Sequence, residues 1–216
     1  MGILKEKRNL KAKIIAFISQ KGGVGKSTLA QALAVETTRQ KIKTLLADCD
    51  PQQSTSYKWT QLRKENGLSP INCQVFQQVK DIWPLSKQYD LIIIDGPART
   101  SKGTYEIAQR ANLLIQPTSA TRADLEPAVR EFNSLVKQGI SSKKLTLLLN
   151  NLITSAEEKA TRTYLELTNY HCLPYALYAR ASYRQAQNEG KSISEISYRS
   201  LSKQVKKLLD SILEIL

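Results

Sequence analysis

An apolar run at residues 14–18 leads directly into Gln20-Lys21-Gly22-Gly23-Val24-Gly25-Lys26-Ser27-Thr28, and apolar residues then repeat at helical spacing over 29–39. A buried strand, a glycine-rich turn and a helix in that order form the setting of a phosphate-binding loop. Glycines lack Cβ, so successive backbone N–H groups can curl around phosphate oxygens. The helix N-terminus adds unpaired donors and a positive dipole. Gly22, Gly23, Val24, Gly25, Lys26, Ser27 and Thr28 are therefore expected to line the site. Lys26 supplies a full charge for the β- and γ-phosphates, and Ser27 a hydroxyl for Mg²⁺.

A second constraint comes from 91–94, four apolar residues in a row that fit a strand buried on both faces of a parallel sheet. Asp95 follows at once, where an acid downstream of a phosphate loop would hold Mg²⁺ through water. Residues 44–47 form another strand and lead into Asp48-Cys49-Asp50-Pro51-Gln52-Gln53. Two aspartates two apart on an extended segment point to one side. Ligands in open α/β sheets sit at the carboxyl ends of strands, which brings Asp48 and Asp50 near the loop. Further strands are expected at 72–76, 111–116 (ending at Pro117) and 145–149. Helices are expected at 54–65, 121–136, 155–169 and 200–216, a weak helix or turn at 80–88, and an edge strand or loop at 171–177. In the 54–65 helix, Tyr57, Trp59 and Leu62 are expected to be partly buried. The fold class is α/β, a mostly parallel twisted sheet with helices on both faces.

The loop departs from the general pattern G-x-x-x-x-G-K-[ST]: Gln20 stands at the first glycine and an extra lysine, Lys21, stands beside it. The string Lys-Gly-Gly-Val-Gly-Lys-Ser-Thr resembles the deviant Walker A motif of the ParA/MinD family of ATPases. The resemblance runs from about residue 13 to 207 and points to the small ParA-type partition proteins. It implies a P-loop NTPase fold, with ATP and Mg²⁺ bound and ATP hydrolysed weakly to ADP and phosphate. It implies an ATP sandwich dimer in which Lys21 crosses to the partner's phosphates, acting with Lys26. It gives Asp50 the positioning of the attacking water and a share in Mg²⁺ with Ser27 and Asp95, while Asp48 stands behind it. Asn150 is assigned to the adenine. A ParB-like protein on a cargo is expected to stimulate hydrolysis. The cargo, whether plasmid, chromosome, carboxysome or another assembly, is not legible.

Formal net charge is +13 over 216 residues, which favours a polyanionic partner. Basic residues concentrate at the two ends, in an arm at 1–12 and a helical region at 180–216 within a single domain. From 180 to 207 the latter holds Arg180, Arg184, Lys191, Arg199, Lys203, Lys206 and Lys207 against Glu189 and Glu195. Arg180 to Ala186 resembles the family's C-terminal Arg-rich segment. That implies non-specific binding to double-stranded DNA through phosphates by Arg180, Arg184, Arg199, Lys203, Lys206 and Lys207. The last helix carries Leu201, Val205, Leu208, Leu209, Ile212 and Ile215 on one face. Closing the core is expected of it; lying on a membrane, as in the MinD branch, is the alternative, and Asp210 and Glu214 speak against that. Three widely spaced cysteines and the lack of a long apolar run lead to the expectation of a cytoplasmic protein without stable membrane attachment, and the resemblance implies association with the nucleoid. The sole histidine, His171, has no cysteine at ligand spacing. An iron–sulfur reductase would need cluster cysteines beyond Asp95, where only Cys172 stands. A ligase-type synthetase would leave Lys21 and the basic tail without a reason.

Overall fold

The computed structural model describes residues 11–97 and 102–216. Expectations for residues 1–10 of the basic arm and for 98–101 lie outside the described residues. Seven strands, β1 (Lys13–Phe17), β2 (Thr44–Asp48), β3 (Cys73–Val75), β4 (Leu91–Asp95), β5 (Leu113–Thr118), β6 (Leu145–Leu149) and β7 (His171–Cys172), form one sheet in the order β3-β2-β4-β1-β5-β6-β7. Every pairing is parallel. All the carboxyl ends therefore lie along one rim of the sheet.

Side chains alternate across the sheet. Ile14, Ala16 and Ile18 enter one core with Ile92, Ile94 and Leu114, while Ile15 and Phe17 enter the other with Leu91, Ile93 and Ile115. Helices α3 (Lys102–Arg110), α4 (Arg122–Lys137) and α5 (Ser155–Glu166) cover the first face. Helices α1 (Lys26–Arg39), α2 (Thr55–Glu65) and α7 (Arg199–Glu214) cover the second. A short helix, α6 (Ala181–Asn188), leads toward α7, and a 3₁₀ segment occupies Val79–Lys87.

The last helix closes the core as expected: Val205, Leu208, Leu209 and Ile212 are fully buried. Its apolar face is thus occupied by the sheet and α1. Among the described residues, no helix is long and apolar enough to cross a membrane. Strand β5 runs one residue past Pro117, further than expected. Ile18 donates to Ile115 O, and Asn150 donates to Thr118 O, so Pro117 turns its missing N–H toward β1. The β1 pairing stops at Phe17 opposite Ile115, so no ladder bond is lost. In α2 the expected burial is partly inverted. Tyr57 is 40% exposed, while Trp59 and Arg63 are buried.

Candidate nucleotide site

The loop after β1 has the backbone its sequence requires. Gly23 and Gly25 have φ of 77° and 99°, in the left-handed region. A Cβ on Gly25 would lie 2.2 Å from Asn150 Nδ2. On Gly22 or Gly23 it would meet nothing within 4 Å, so that side of the loop is open. Gly25 is also the N-cap of α1, which has neither a side-chain cap nor an acid in its first turn. Among the described residues, none accepts from the N–H groups of Gly22 to Thr28. Consecutive donors at the positive end of a helix are what an anion needs.

Asn150, at the carboxyl end of β6, shapes this loop. Its Nδ2 donates to Val24 O at 2.8 Å and the side chain is buried. The side chain expected to meet adenine thus spends one amide N–H on the loop backbone. Asn151, with φ of 58°, reaches Gly23 O at 3.5 Å. Lys26, the first residue of α1, is 7% exposed and donates to Lys21 O at 3.2 Å. Burial lowers its pKa, against the opposing charges of Asp95, Glu131 and Asp50.

The acids take different places. Asp95 ends β4 and pairs in register with Phe17 of β1 and Asp48 of β2. It is 3% exposed; Ser56 Oγ donates to its Oδ2 at 2.7 Å, and Oδ1 makes no hydrogen bond of ordinary geometry. Burial pushes it up to about 6, against the pull of the Ser56 and Ser27 hydroxyls and Lys26. Asp48 is fully buried and accepts from Asp50 N (3.1 Å) and Tyr57 N (3.0 Å), so it anchors the start of α2. Burial raises its pKa too. Asp50 lies beyond the strand, half-buried, accepting from Gln53 N at 3.1 Å. The two aspartates thus part company: β2 ends at Asp48, and the turn carries Asp50 outward.

Lys21 is engaged within its own chain. Its ammonium meets Asp124 Oδ1 at 2.6 Å. Asp124, in the first turn of α4, also accepts from the Ser119 and Thr121 hydroxyls. Burial would raise the Asp124 pKa, but Lys21 and the two hydroxyls outweigh it and hold the carboxyl below its ordinary value. Buried Glu131 supports the loop from below, accepting from Gln20 N at 3.2 Å and Gln116 Nε2 at 2.8 Å.

These residues fit Mg²⁺ with a phosphorylated ligand. Among the described residues, no group of three His, Cys, Asp or Glu makes a dedicated cage. Mg²⁺ with phosphates needs none, since it keeps waters and takes one or two protein oxygens. The buried, unpaired Oδ1 of Asp95 beside Ser27 and Lys26 supplies such an oxygen.

Residues 15–193 match the model of the CobQ/CobB/MinD/ParA nucleotide binding domain. The chain belongs to this family. A curated relative, the maintenance of carboxysome distribution protein A of Gloeobacter kilaueensis, is 29% identical over 140 residues, 62% of this chain and 62% of that protein. The match therefore spans less than two thirds of that relative. The ATP complex of Cyanothece McdA superposes with a TM-score of 0.73 at 20% identity, covering 94% of this chain and 96% of that one. The cell division protein MinD of Aquifex aeolicus gives 0.75 at 15% identity, covering 94% and 98%. The fold is that of the MinD/ParA P-loop NTPases, as the loop sequence implied.

The basic end of this MinD/ParA domain divides between two helices. Arg180 is the N-cap residue of α6, with its guanidinium 5.7 Å from the Tyr178 ring centroid, and Arg184 is exposed on the next turn. On α7, Arg199, Lys203 and Lys207 recur every four residues and are exposed, with half-buried Lys206 adjoining. This stripe lies opposite the buried apolar face. Lys191 is paired with Glu189 at 2.7 Å. A junction missed in the sequence holds the two helices to the body. Arg63, 2% exposed, makes bonds of 2.6 and 2.9 Å to Glu195 and reaches Gly190 O at 3.1 Å and Ser69 O at 2.7 Å. Arg39 from α1 meets the same Glu195 at 2.7 Å.

Proposed function

We propose that this chain is an ATP-dependent partition or cargo-positioning ATPase of the ParA type, working as a nucleotide-bridged dimer on DNA. The observation that carries this reading is Lys21, beside the phosphate loop and held by a carboxylate that a phosphate can replace. Two protomers of such positive charge repel; triphosphate between them supplies the anions each Lys21 needs. A second cation reaching the phosphates from the partner acts as an arginine finger does. The names of the relatives, carboxysome distribution and cell division proteins, support a positioning role.

Within each site, Gly22 to Thr28 and Lys26 hold the phosphates, and Asp50 orients the water. Ser27, Asp50 and Asp95 would hold Mg²⁺, which when bound neutralises charge on the β- and γ-phosphates. Non-specific DNA contact falls to Arg180, Arg184, Arg199, Lys203, Lys206 and Lys207. Dimerisation doubles that surface and raises affinity by avidity. A ParB-like partner on the cargo triggers hydrolysis and release.

The test is Lys21→Ala. It should abolish ATP-dependent dimerisation in sedimentation and the ATP-dependent shift of a DNA duplex, while leaving ADP binding in place. A variant that still shifts DNA as the wild type does would refute the scheme.

A further inference from the structure

Ser56 lies on α2 and is fully buried. Its hydroxyl donates to Asp95 Oδ2 at 2.7 Å, and its oxygen accepts from Gln31 Nε2 of α1 at 3.2 Å. A serine has one hydrogen to give. With Gln31 donating into the oxygen, that hydrogen goes to the carboxylate, the strongest acceptor within reach. The chain Gln31 to Ser56 to Asp95 therefore runs one way and joins α1, α2 and β4. It takes one oxygen of Asp95 and leaves Oδ1 buried without a hydrogen bond of ordinary geometry, on the side of the loop where Ser27 lies.

The alternative for that carboxylate is close by. Lys26 is an electrostatic neighbour of Asp95, yet its ammonium donates to Lys21 O and forms no ion pair with the acid. A carboxylate turned toward Lys26 would withdraw both groups from a ligand. The start of α2 is also fixed from a second strand, since Asp48 accepts from Tyr57 N. The hydroxyl of Ser56 is thereby delivered to Asp95 from a helix whose first turn is tied to β2.

We propose that Ser56, oriented by Gln31, is a positioning residue of the metal–nucleotide site: it holds the Asp95 carboxylate in one orientation with Oδ1 presented to Mg²⁺. This rests on the nucleotide-binding reading given above. Ser56 touches neither nucleotide nor metal; it acts through Asp95.

The experiment measures the affinity of the full chain for a fluorescent ADP analogue, with excess Mg²⁺ and with EDTA. The readout is the gain in affinity that Mg²⁺ brings. Ser56→Ala should lose about tenfold of that gain, the worth of one hydrogen bond to a charged group. Its affinity in EDTA should stay within about twofold of wild type, because the loop donors and Lys26 are untouched. Ser56→Thr, which keeps the hydroxyl, should restore the gain. In an Asp95→Asn background, Ser56→Ala should change nothing further. Gln31→Leu gives a second test should Ser56→Ala fold poorly, with a smaller loss in the same sense. An unchanged Mg²⁺ gain in both Ser56→Ala and Gln31→Leu overturns the proposal. So does equal loss with and without Mg²⁺, or a further loss in the Asp95→Asn background. A wild-type protein whose affinity Mg²⁺ does not alter would instead bring down the metal–nucleotide reading itself.

Discussion

Lys21 must leave Asp124 before it can reach a second protomer, and the cost of leaving can be worked out. The lysine side chain is 40% exposed and the aspartate 21%. A pair so open to water is worth no more than about 1 kcal/mol. Each protomer gives up one pair on dimerising, so the penalty reaches about 2 kcal/mol, or roughly thirtyfold in the dimer Kd. Asp124→Asn removes the charge while keeping an oxygen for the Ser119 and Thr121 hydroxyls, which leaves the start of α4 in place. The variant should dimerise up to roughly thirtyfold more tightly with a slowly hydrolysed ATP analogue, as measured by sedimentation over a dilution series. The advantage should shrink at high salt, which screens exposed charges. A dimer of unchanged or weaker affinity in Asp124→Asn would refute the idea that this contact restrains Lys21.

Three other substitutions probe the rest of the molecule. Burial pushes Asp95 to about 6 from its ordinary 3.8, a penalty on the fold at neutral pH that fades as pH falls between those values. Asp95→Asn should therefore stabilise the nucleotide-free protein at pH 7 by about 1–3 kcal/mol in thermal unfolding, with the gain vanishing near pH 4, and should lose the Mg²⁺ effect on nucleotide affinity. Arg63→Met leaves Glu195, 11% exposed, with only Arg39 and the Ser192 N–H, and should cost about 2–4 kcal/mol in urea unfolding. Glu195 would be raised by burial but is held below its ordinary 4.5 by Arg63, Ser192 N–H and Arg39, so wild type and variant should converge as pH falls below that value. Equal stabilities at pH 7 would show the junction to be dispensable. Replacing Arg199, Lys203 and Lys207 together by Gln removes six cations from the dimer; it should leave the melting temperature nearly unchanged, weaken ATP-dependent DNA binding and lower its salt slope by about 5; an unaltered slope would move the DNA surface elsewhere.

What was legible in the sequence was what lies close together along it. The strand, loop and helix from residue 14 to 39 declare themselves by period and glycine spacing, and Asp95 by the apolar run before it. Helix α3 was overlooked although Thr104, Ile107, Ala108 and Ala111 recur at helical spacing and are buried. Helix α6 falls inside the stretch legible as basic and helical, but its own bounds are not. The partners of Lys21, Arg63 and Asp95 could not be read, because Asp124, Glu195 and Ser56 lie 103, 132 and 39 residues away. Only the strand order brings them together. Asn150 was found by resemblance, but its use depends on Gly25 having no side chain at the point of closest approach. The burial of Arg63 in place of Tyr57 follows from a carboxylate delivered by the far end of the chain.

The parallel sheet gives the molecule a front and a back. Asp95 ends a strand, and Lys21, Asp50, Asp124 and Asn150 follow the carboxyl ends of others, whereas Lys13 Nζ, at the opposite end of β1, donates to Leu216 O at 3.4 Å. A fluorophore or affinity handle joined after Leu216 would therefore stand on the rim away from the phosphate loop, and should serve for imaging and pull-down without blocking the face where two protomers are expected to meet.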